Sequence, residues 1–194
     1  MSKPSEKQLS KDQLHEMIAQ ADTGGRHPTG TIPKRVLFYV PLAWTLFQLW
    51  YASPLPYIFD FFVLNSTEAR AIHLAFAIFL SYTAFPTLKS SPRDYIPIQD
   101  WIVGLVGAFC AGYIFLFYTS LADRPGNPTT LDLVVSVTGL ILLLEATRRA
   151  LGPPLMVVAT VFILYTFGGA YMPEVIAHKG ASLVKGMSHY WLTT

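Results

Sequence analysis

The sequence predicts an all-α membrane protein, a polytopic bundle of four to five transmembrane helices with a cytoplasmic N-terminus. Apolar residues make up 52% of the 194 residues and charged residues only 13%, whereas a soluble domain carries about 25% charged residues. The apolar residues also fall into blocks that approach the roughly 20 residues needed to cross a ~30 Å hydrocarbon core. The net charge of +2 gives no argument for nucleic-acid binding, and the single cysteine, Cys110, can form no internal disulfide.

Residues 1–33 form a polar tail of mixed charge, which we predict to be cytoplasmic and either disordered or loosely held to the membrane surface. The tail lacks the early apolar region of a signal peptide, so the first apolar block is expected to act as the insertion signal. Glycines at 24 and 25 and the sequence HPTG at 27–30 are expected to break any helix before that block.

Four apolar blocks follow the tail. We predict spans at about 34–52, 67–88, 98–121 and 131–150, because each block is long, nearly free of charge and bounded by proline, asparagine or charged residues. Residues 54–65 are predicted to be a loop at the membrane–water interface, since Pro54 and Pro56 stop the first helix and aromatic residues follow.

A small-residue ladder marks the third span. Gly104, Ala108 and Gly112 recur every four residues, and small residues at this spacing let another helix approach closely in a membrane. We interpret the ladder as a helix-packing face.

The chain after residue 150 contains a fifth apolar run and a short amphipathic segment. The run at 152–171 reaches spanning length and carries no charge. From residue 182, one helical face carries the apolar side chains Leu183, Val184, Met187, Tyr190 and Trp191, a pattern typical of a helix that lies flat in the interface.

The distribution of lysine and arginine predicts the orientation. With the N-terminus inside and five spans, ten of these residues fall inside, namely Lys3, Lys7, Lys11, Arg26, Lys34, Arg35, Lys89, Arg93, Arg148 and Arg149, and four fall outside, namely Arg70, Arg124, Lys179 and Lys185. The excess supports a cytoplasmic N-terminus. Four spans would give an even larger excess of lysine and arginine inside. The length of residues 152–171 and their lack of charged side chains nevertheless favour five spans.

The sequence contains no catalytic or metal-binding set that indicates an enzyme. The five histidines lack ligand spacing, and no phosphate-binding or nucleophile motif occurs. Arg70 and His73 lie near the start of the second span, and ionisable groups there are either a functional site or an interfacial hydrogen bond. We expect no catalytic residue, no substrate-binding residue, no metal ligand and no cofactor in this chain.

Three charges separate the fourth and fifth apolar runs. Glu145 precedes Arg148 by three residues and Arg149 by four, so either arginine can pair with the acid along one helix face. The cluster is either an anchor that fixes helix depth at the inner interface or a contact with a partner membrane domain. The sequence GPP at 152–154 then begins the next run.

Long segments of the chain resemble the fused membrane component of the tripartite ATP-independent periplasmic (TRAP) transporters, most closely the TAXI subgroup. These segments are "RAIHLAFAIFLSYTAFP" (70–86), "NPTTLDLVVSVTGLILLLEATRRALG" (127–152) and "MSHYWLTT" (187–194). The resemblance covers about residues 34–194. It implies a four-helix Q-like membrane domain at 34–150, and at 151–194 the first transmembrane helix and interfacial segment of a truncated M-like transport domain.

The resemblance also implies a function. In the family, the M domain carries the sodium and substrate sites, the Q domain braces it in the bacterial inner membrane, and a periplasmic binding protein delivers an organic acid. We therefore expect this segment to be the scaffold of a sodium-driven carboxylate importer, whose partners are an M-like domain, a TAXI-type binding protein and lipids. Sodium is expected to bind in the M domain outside these residues. The alternatives are a non-transporting membrane scaffold or assembly protein and an intramembrane enzyme.

Overall fold

The computed structural model of the protein describes residues 24–88 and 90–193, and all regular elements in these ranges are helical. The helices are α1 (Thr31–Ala52), α2 (Leu55–Phe59), α3 (Ser66–Ala84), α4 (Ile98–Leu116), α5 (Tyr118–Ala122), α6 (Thr130–Leu151), α7 (Pro153–Gly168), a 3₁₀ turn (Gly169–Tyr171) and α8 (Leu183–Tyr190). The all-α prediction is confirmed. Most of the predicted polar tail, residues 1–23, lies outside the described residues, as do positions 89 and 194.

Within residues 24–88 and 90–193, three helical segments are long and apolar enough to cross a membrane. They are Ile98–Leu116, Thr130–Leu151 and Pro153–Tyr171, so the predicted fifth run is among them. This composition is compatible with a membrane protein. Helices α1 and α3 are 22 and 19 residues long but are not among these three segments, and their crossing of the membrane stays a prediction.

Several predicted boundaries need correction. The second span ends at Ala84 rather than at residue 88 because Phe85, at φ −112° and ψ 133°, precedes Pro86, and a residue before proline is pushed out of the α region. The third span breaks at Phe117 into α4 and α5. The interfacial loop contains α2, because Pro54, whose φ is −73°, suits the start of a helix.

The starts of α3 and α6 are each fixed by a side-chain cap. The Asn65 side chain accepts hydrogen bonds from the amides of residues 67 and 68, and Glu68 accepts the Asn65 amide in return. Thr129 and Asp132 form the same reciprocal arrangement at α6. These capping boxes satisfy amides that have no partner inside the helix.

The core lies between α3, α4 and α6, which run antiparallel in turn. Ile78, Tyr82 and Ala111 are at most 1% exposed. At one end of the bundle the Tyr113 hydroxyl of α4 donates to Asp132 at the start of α6 (2.6 Å). Since Tyr113 lies in the last turn of α4 and Asp132 in the first turn of α6, the chain reverses direction between them.

Gly152 forms the corner between α6 and α7. Its φ of 89° and ψ of 173° lie in a region that is essentially restricted to glycine. Pro153 and Pro154 occupy the first turn of α7, where a missing amide costs no helical hydrogen bond. The sequence GPP therefore ends one long helix and begins the next within three residues.

The segment after α7 folds back and caps that helix. Gly180 donates its amide to Nδ1 of His178 (3.0 Å), so Nε2 of the ring carries the proton and donates to the Tyr165 carbonyl (3.0 Å). The amide of Ala181 donates to the Thr166 carbonyl (2.9 Å). These bonds occupy carbonyls that the end of a helix leaves without partners.

Helix α8 packs on the bundle through part of its predicted apolar face. Met187 and Trp191 are 2% and 5% exposed, whereas Leu183 is 54% exposed. The Trp191 ring fills a notch left by the absent side chain of Gly139, and its indole N–H donates to the Cys110 carbonyl (3.1 Å). The structure thus differs from a helix that only lies flat in the interface, because one edge of α8 reaches the core.

Candidate functional site

The three charges between the predicted fourth and fifth spans lie at the end of α6 and form ion pairs with one another. Arg148 donates through Nε and a terminal nitrogen to the two oxygens of Glu145, both at 2.7 Å. Arg149 donates through Nε to Glu145 (2.8 Å). Both pairs that the spacing allowed are therefore made at once, so the carboxylate holds two guanidinium groups in fixed orientations.

Two residues that sequence reasoning did not single out extend this cluster into the protein. Arg149 donates to one oxygen of Asp100 (2.8 Å), and Arg26 forms an ion pair with the other. The side chains of Arg26, Asp100 and Arg149 are only 0%, 7% and 6% exposed. We call Arg26, Asp100, Glu145, Arg148 and Arg149 the charge cluster.

Backbone and aromatic groups complete the charge cluster. Arg26 donates to the Tyr82 carbonyl (3.0 Å), and Arg148 donates to the Thr87 carbonyl (2.9 Å). The Arg149 guanidinium lies 4.4 Å from the centre of the Tyr82 ring, a cation–π contact. The Tyr82 hydroxyl donates to the Leu142 carbonyl (3.0 Å). The cluster therefore joins the end of α3, the start of α4 and the end of α6.

The segment just before α1 is docked against the same end of the bundle. The amides of Arg26, His27 and Thr29 donate to the carbonyls of Ala84 (2.7 Å), Arg93 (3.0 Å) and Asp94 (2.8 Å). We predicted this part of the tail to be disordered or loosely held, and the structure differs for residues 26–29. The reason is that the buried Arg26–Asp100 pair and these backbone bonds fix the segment.

The charge cluster is built to hold helices together. Buried ion pairs persist when further hydrogen bonds satisfy the remaining donors and acceptors, and here both acids accept from two arginines. Asp100 was detectable as an acid in the first turn of an apolar helix, since charges in apolar spans usually have partners. Arg26 carried no such signal, because it lies 74 residues away from Asp100 in the chain.

Arg70 and His73 are both exposed on α3 and form no pair with each other in the described part of the chain. Nδ1 of His73 accepts the indole N–H of Trp44 (3.1 Å) and contacts the Gln48 amide. His73 therefore links α1 to α3 by hydrogen bonds. Arg70 and His73 border an open groove of about 290 Å³ beside Gln48. Residues 24–88 and 90–193 contain no group of three histidine, cysteine, aspartate or glutamate side chains positioned to hold a metal ion.

The residues of the small-residue ladder on α4 lie in two different environments, one packed against a helix and one open. Gly104 faces α3, where an added Cβ would lie 3.2 Å from Cβ of Tyr82, whereas one added at Gly112 would meet nothing within 4 Å. Ala108 and Gly112 line an apolar groove between α1, α3 and α4. Among the glycines of α4, the closest approach is at Gly107, where an added Cβ would lie 2.6 Å from Cγ2 of Ile78.

A second buried acid lies at the opposite end of the bundle. Asp132 is fully buried and accepts from the Tyr113 hydroxyl (2.6 Å), the Thr129 amide (2.7 Å) and the Arg124 guanidinium (3.0 Å). These donors compensate its charge. Both ends of the α4–α6 contact are thus fixed by a buried carboxylate.

Comparisons with protein-family models, curated proteins and solved structures find no match to this chain.

Proposed function

We propose that this chain is the scaffold part of a binding-protein-dependent TRAP-type transporter for organic acids, which braces a transport domain in the membrane. The observation that carries the proposal is the surface of α7. This helix is apolar throughout, contains no buried residue, and exposes large side chains such as Phe162 (64%) and Leu164 (62%). An apolar helix of spanning length that its own bundle leaves uncovered is suited to pack against lipid or another membrane domain.

The rest of the bundle supports the same role. Charged and hydrogen-bonded groups join α3, α4 and α6 at one end, through the charge cluster, and α4 and α6 at the other end, through Asp132. Helix α7 leaves this bundle at the Gly152 corner and is capped at its far end by residues 178–181. A rigid bundle that presents one uncovered helix has the geometry expected of a brace.

The family resemblance of residues 34–194 supports the identity of the partners. We propose an M-like transport domain as the partner of α7 and a TAXI-type binding protein as the source of the carboxylate. Transport would be sodium-coupled, with the ion and the solute bound in the M-like domain. Glu145, Arg148 and Arg149 would act as an anchor at the cytoplasmic end of the bundle.

The test is purification of the tagged chain from its native membrane in mild detergent, with mass spectrometry of the associated chains. We expect a large M-like membrane subunit to accompany it, and we expect sodium-dependent carboxylate uptake by the assembly in vesicles. A chain recovered alone as a monomer would contradict the proposal. Recovery with a membrane protein that transports nothing would support the non-transporting scaffold instead.

The proposed partner surface is tested by a matched pair of variants. Replacement of Phe162 and Leu164 on α7 by alanine should reduce recovery of the M-like subunit, because it removes apolar contact area. The control replaces Val134 and Ile141 on α6, which are exposed to similar extents, 58% and 59%. Equal recovery in the two double variants would place the partner elsewhere.

A further inference from the structure

A cavity with basic and hydroxyl side chains lies where the α5–α6 connection meets α8. It has a volume of about 310 Å³, and Arg124, Lys185, Ser188, His189 and Thr193 contribute its polar lining. It lies at the Asp132 end of the bundle, opposite the charge cluster. We propose that this cavity binds a phosphate-type oxyanion, either the headgroup of an anionic lipid or a free phosphate.

The side chains that line the cavity carry positive charge that is not fully balanced by acidic side chains. Arg124 shares its guanidinium with Asp132 (3.0 Å) and with the Ser120 carbonyl (3.0 Å), so it is partly neutralised. Lys185 is exposed, and its ammonium has no ion pair or hydrogen bond in the described part of the chain. No acidic side chain lines the cavity. The residues that line the cavity therefore carry an ammonium and a partly neutralised guanidinium, and no acid among them compensates the ammonium.

The wall of the cavity also contains a buried hydroxyl group that lacks a hydrogen-bond partner in the described residues. The hydroxyl oxygen of Ser188 is buried and has no hydrogen-bond partner. A buried polar atom without a partner costs free energy. An oxyanion in the adjoining cavity would accept a hydrogen bond from the Ser188 hydroxyl and remove that cost.

Two carbonyl oxygens in the last turn of α8 have a hydroxyl partner beside the cavity. The last turn of α8 would normally present free carbonyl oxygens, which repel negative charge. Here the Thr193 hydroxyl is within hydrogen-bond distance of the Ser188 (3.0 Å) and His189 (2.9 Å) carbonyls. The imidazole of His189 offers a further N–H donor in either protonation state.

The location selects the chemical class of the ligand. The residues at 121–128 lie between the apolar helices 98–116 and 130–151, which is the level of lipid headgroups for helices that cross a membrane. Leu121 and Leu192 complete the wall with apolar surface. A phosphate group with an attached apolar portion matches both parts of this lining. The site is independent of the transport role proposed above.

The test uses the full chain in nanodiscs, with Lys185→Gln and Ser188→Ala as the variants. Neither change removes an ion pair in the described structure, and Ser188→Ala removes an unsatisfied group, so both variants should fold. Lys179→Gln is the control, because Lys179 is an exposed lysine of the same C-terminal segment that does not line the cavity. Arg124 is left intact because it compensates the buried Asp132.

Two series of binding measurements distinguish a free phosphate from a lipid headgroup. In phosphatidylcholine nanodiscs, inorganic phosphate is titrated at constant ionic strength while the thermal midpoint is recorded. In a second series, phosphatidylglycerol is added to the bilayer, and retained lipid is counted by native mass spectrometry. Stabilisation by inorganic phosphate indicates a free oxyanion, and selective retention of phosphatidylglycerol indicates a lipid headgroup.

We expect each variant to weaken binding about tenfold, the effect of losing one hydrogen bond to a charged group, and Lys179→Gln to leave binding unchanged. Binding in neither series would overturn the proposal. Equal loss in Lys179→Gln would also overturn it, because the effect would then reflect general surface charge.

Discussion

At the residue scale, the Asp100 carboxylate joins two arginines that lie far apart in the chain. Its two oxygens accept from Arg26, which precedes α1, and from Arg149 near the end of α6. All three side chains are almost completely buried, so each charge depends on the others for compensation. One carboxylate thereby ties the entering segment to the last turns of α6.

The substitution Asp100→Asn should strongly destabilise the protein. It leaves Arg26 and Arg149 buried beside a neutral amide, and breaking a buried pair in this way costs about 3–5 kcal/mol. The measurement is the unfolding midpoint in mixed micelles titrated with sodium dodecyl sulfate, followed by far-ultraviolet circular dichroism. The control is Glu174→Gln, which neutralises an exposed acid that forms no ion pair in the described residues. Equal midpoints for the two variants would show that the Asp100 pairs contribute nothing.

At the scale of elements, the docking of α8 depends on one glycine of α6. Any side chain at Gly139 would overlap the Trp191 ring. Gly139→Ala should therefore displace α8 and lower stability by about 1–3 kcal/mol, the usual cost of overpacking. Thermal unfolding in one detergent measures the change. Gly112→Ala is the control, since an added Cβ there meets nothing within 4 Å, and the better helix propensity of alanine should leave stability equal or slightly higher.

A double-mutant cycle separates this overlap from other effects at Gly139. In a Trp191→Ala background the notch is empty, so Gly139→Ala should cost little. If the cost persists without the Trp191 ring, the destabilisation does not arise from α8 docking.

The long helices were predictable because composition and caps are local. The apolar blocks and the residues that bound them placed α3 and α6 to within a few residues, and Glu145 pairs with both arginines as the spacing allowed. The partners of Asp100 were not predictable, since nothing near Arg26 in the sequence indicates burial. The docking of Trp191 depends equally on a distant residue, Gly139.

At the scale of the whole molecule, the contacts at the two ends of the bundle show that successive long helices run in alternating directions between those ends. The charge cluster gathers the segment before α1, the end of α3, the start of α4 and the end of α6. The opposite end gathers the end of α4, the start of α6 and the cavity between the α5–α6 connection and α8. Helix α7 leads from the first end towards the second, so residues 26–29 and residues 178–181 lie at opposite ends.

These alternating directions predict on which side of the membrane three exposed residues lie. The buried Cys110 is first replaced by alanine. One accessible thiol is then introduced in each of three variants, Tyr95→Cys, Asn127→Cys and Lys179→Cys. A membrane-impermeant maleimide is applied to right-side-out vesicles that contain each variant. With the N-terminus cytoplasmic, as the lysine and arginine distribution predicts, Asn127→Cys and Lys179→Cys should react directly and Tyr95→Cys only after permeabilisation. Asn127 and Lys179 are expected to react alike because α7 returns the chain to the end where α6 began. Protection of Lys179→Cys while Asn127→Cys reacts would mean that α7 fails to cross and that the bundle has one span fewer.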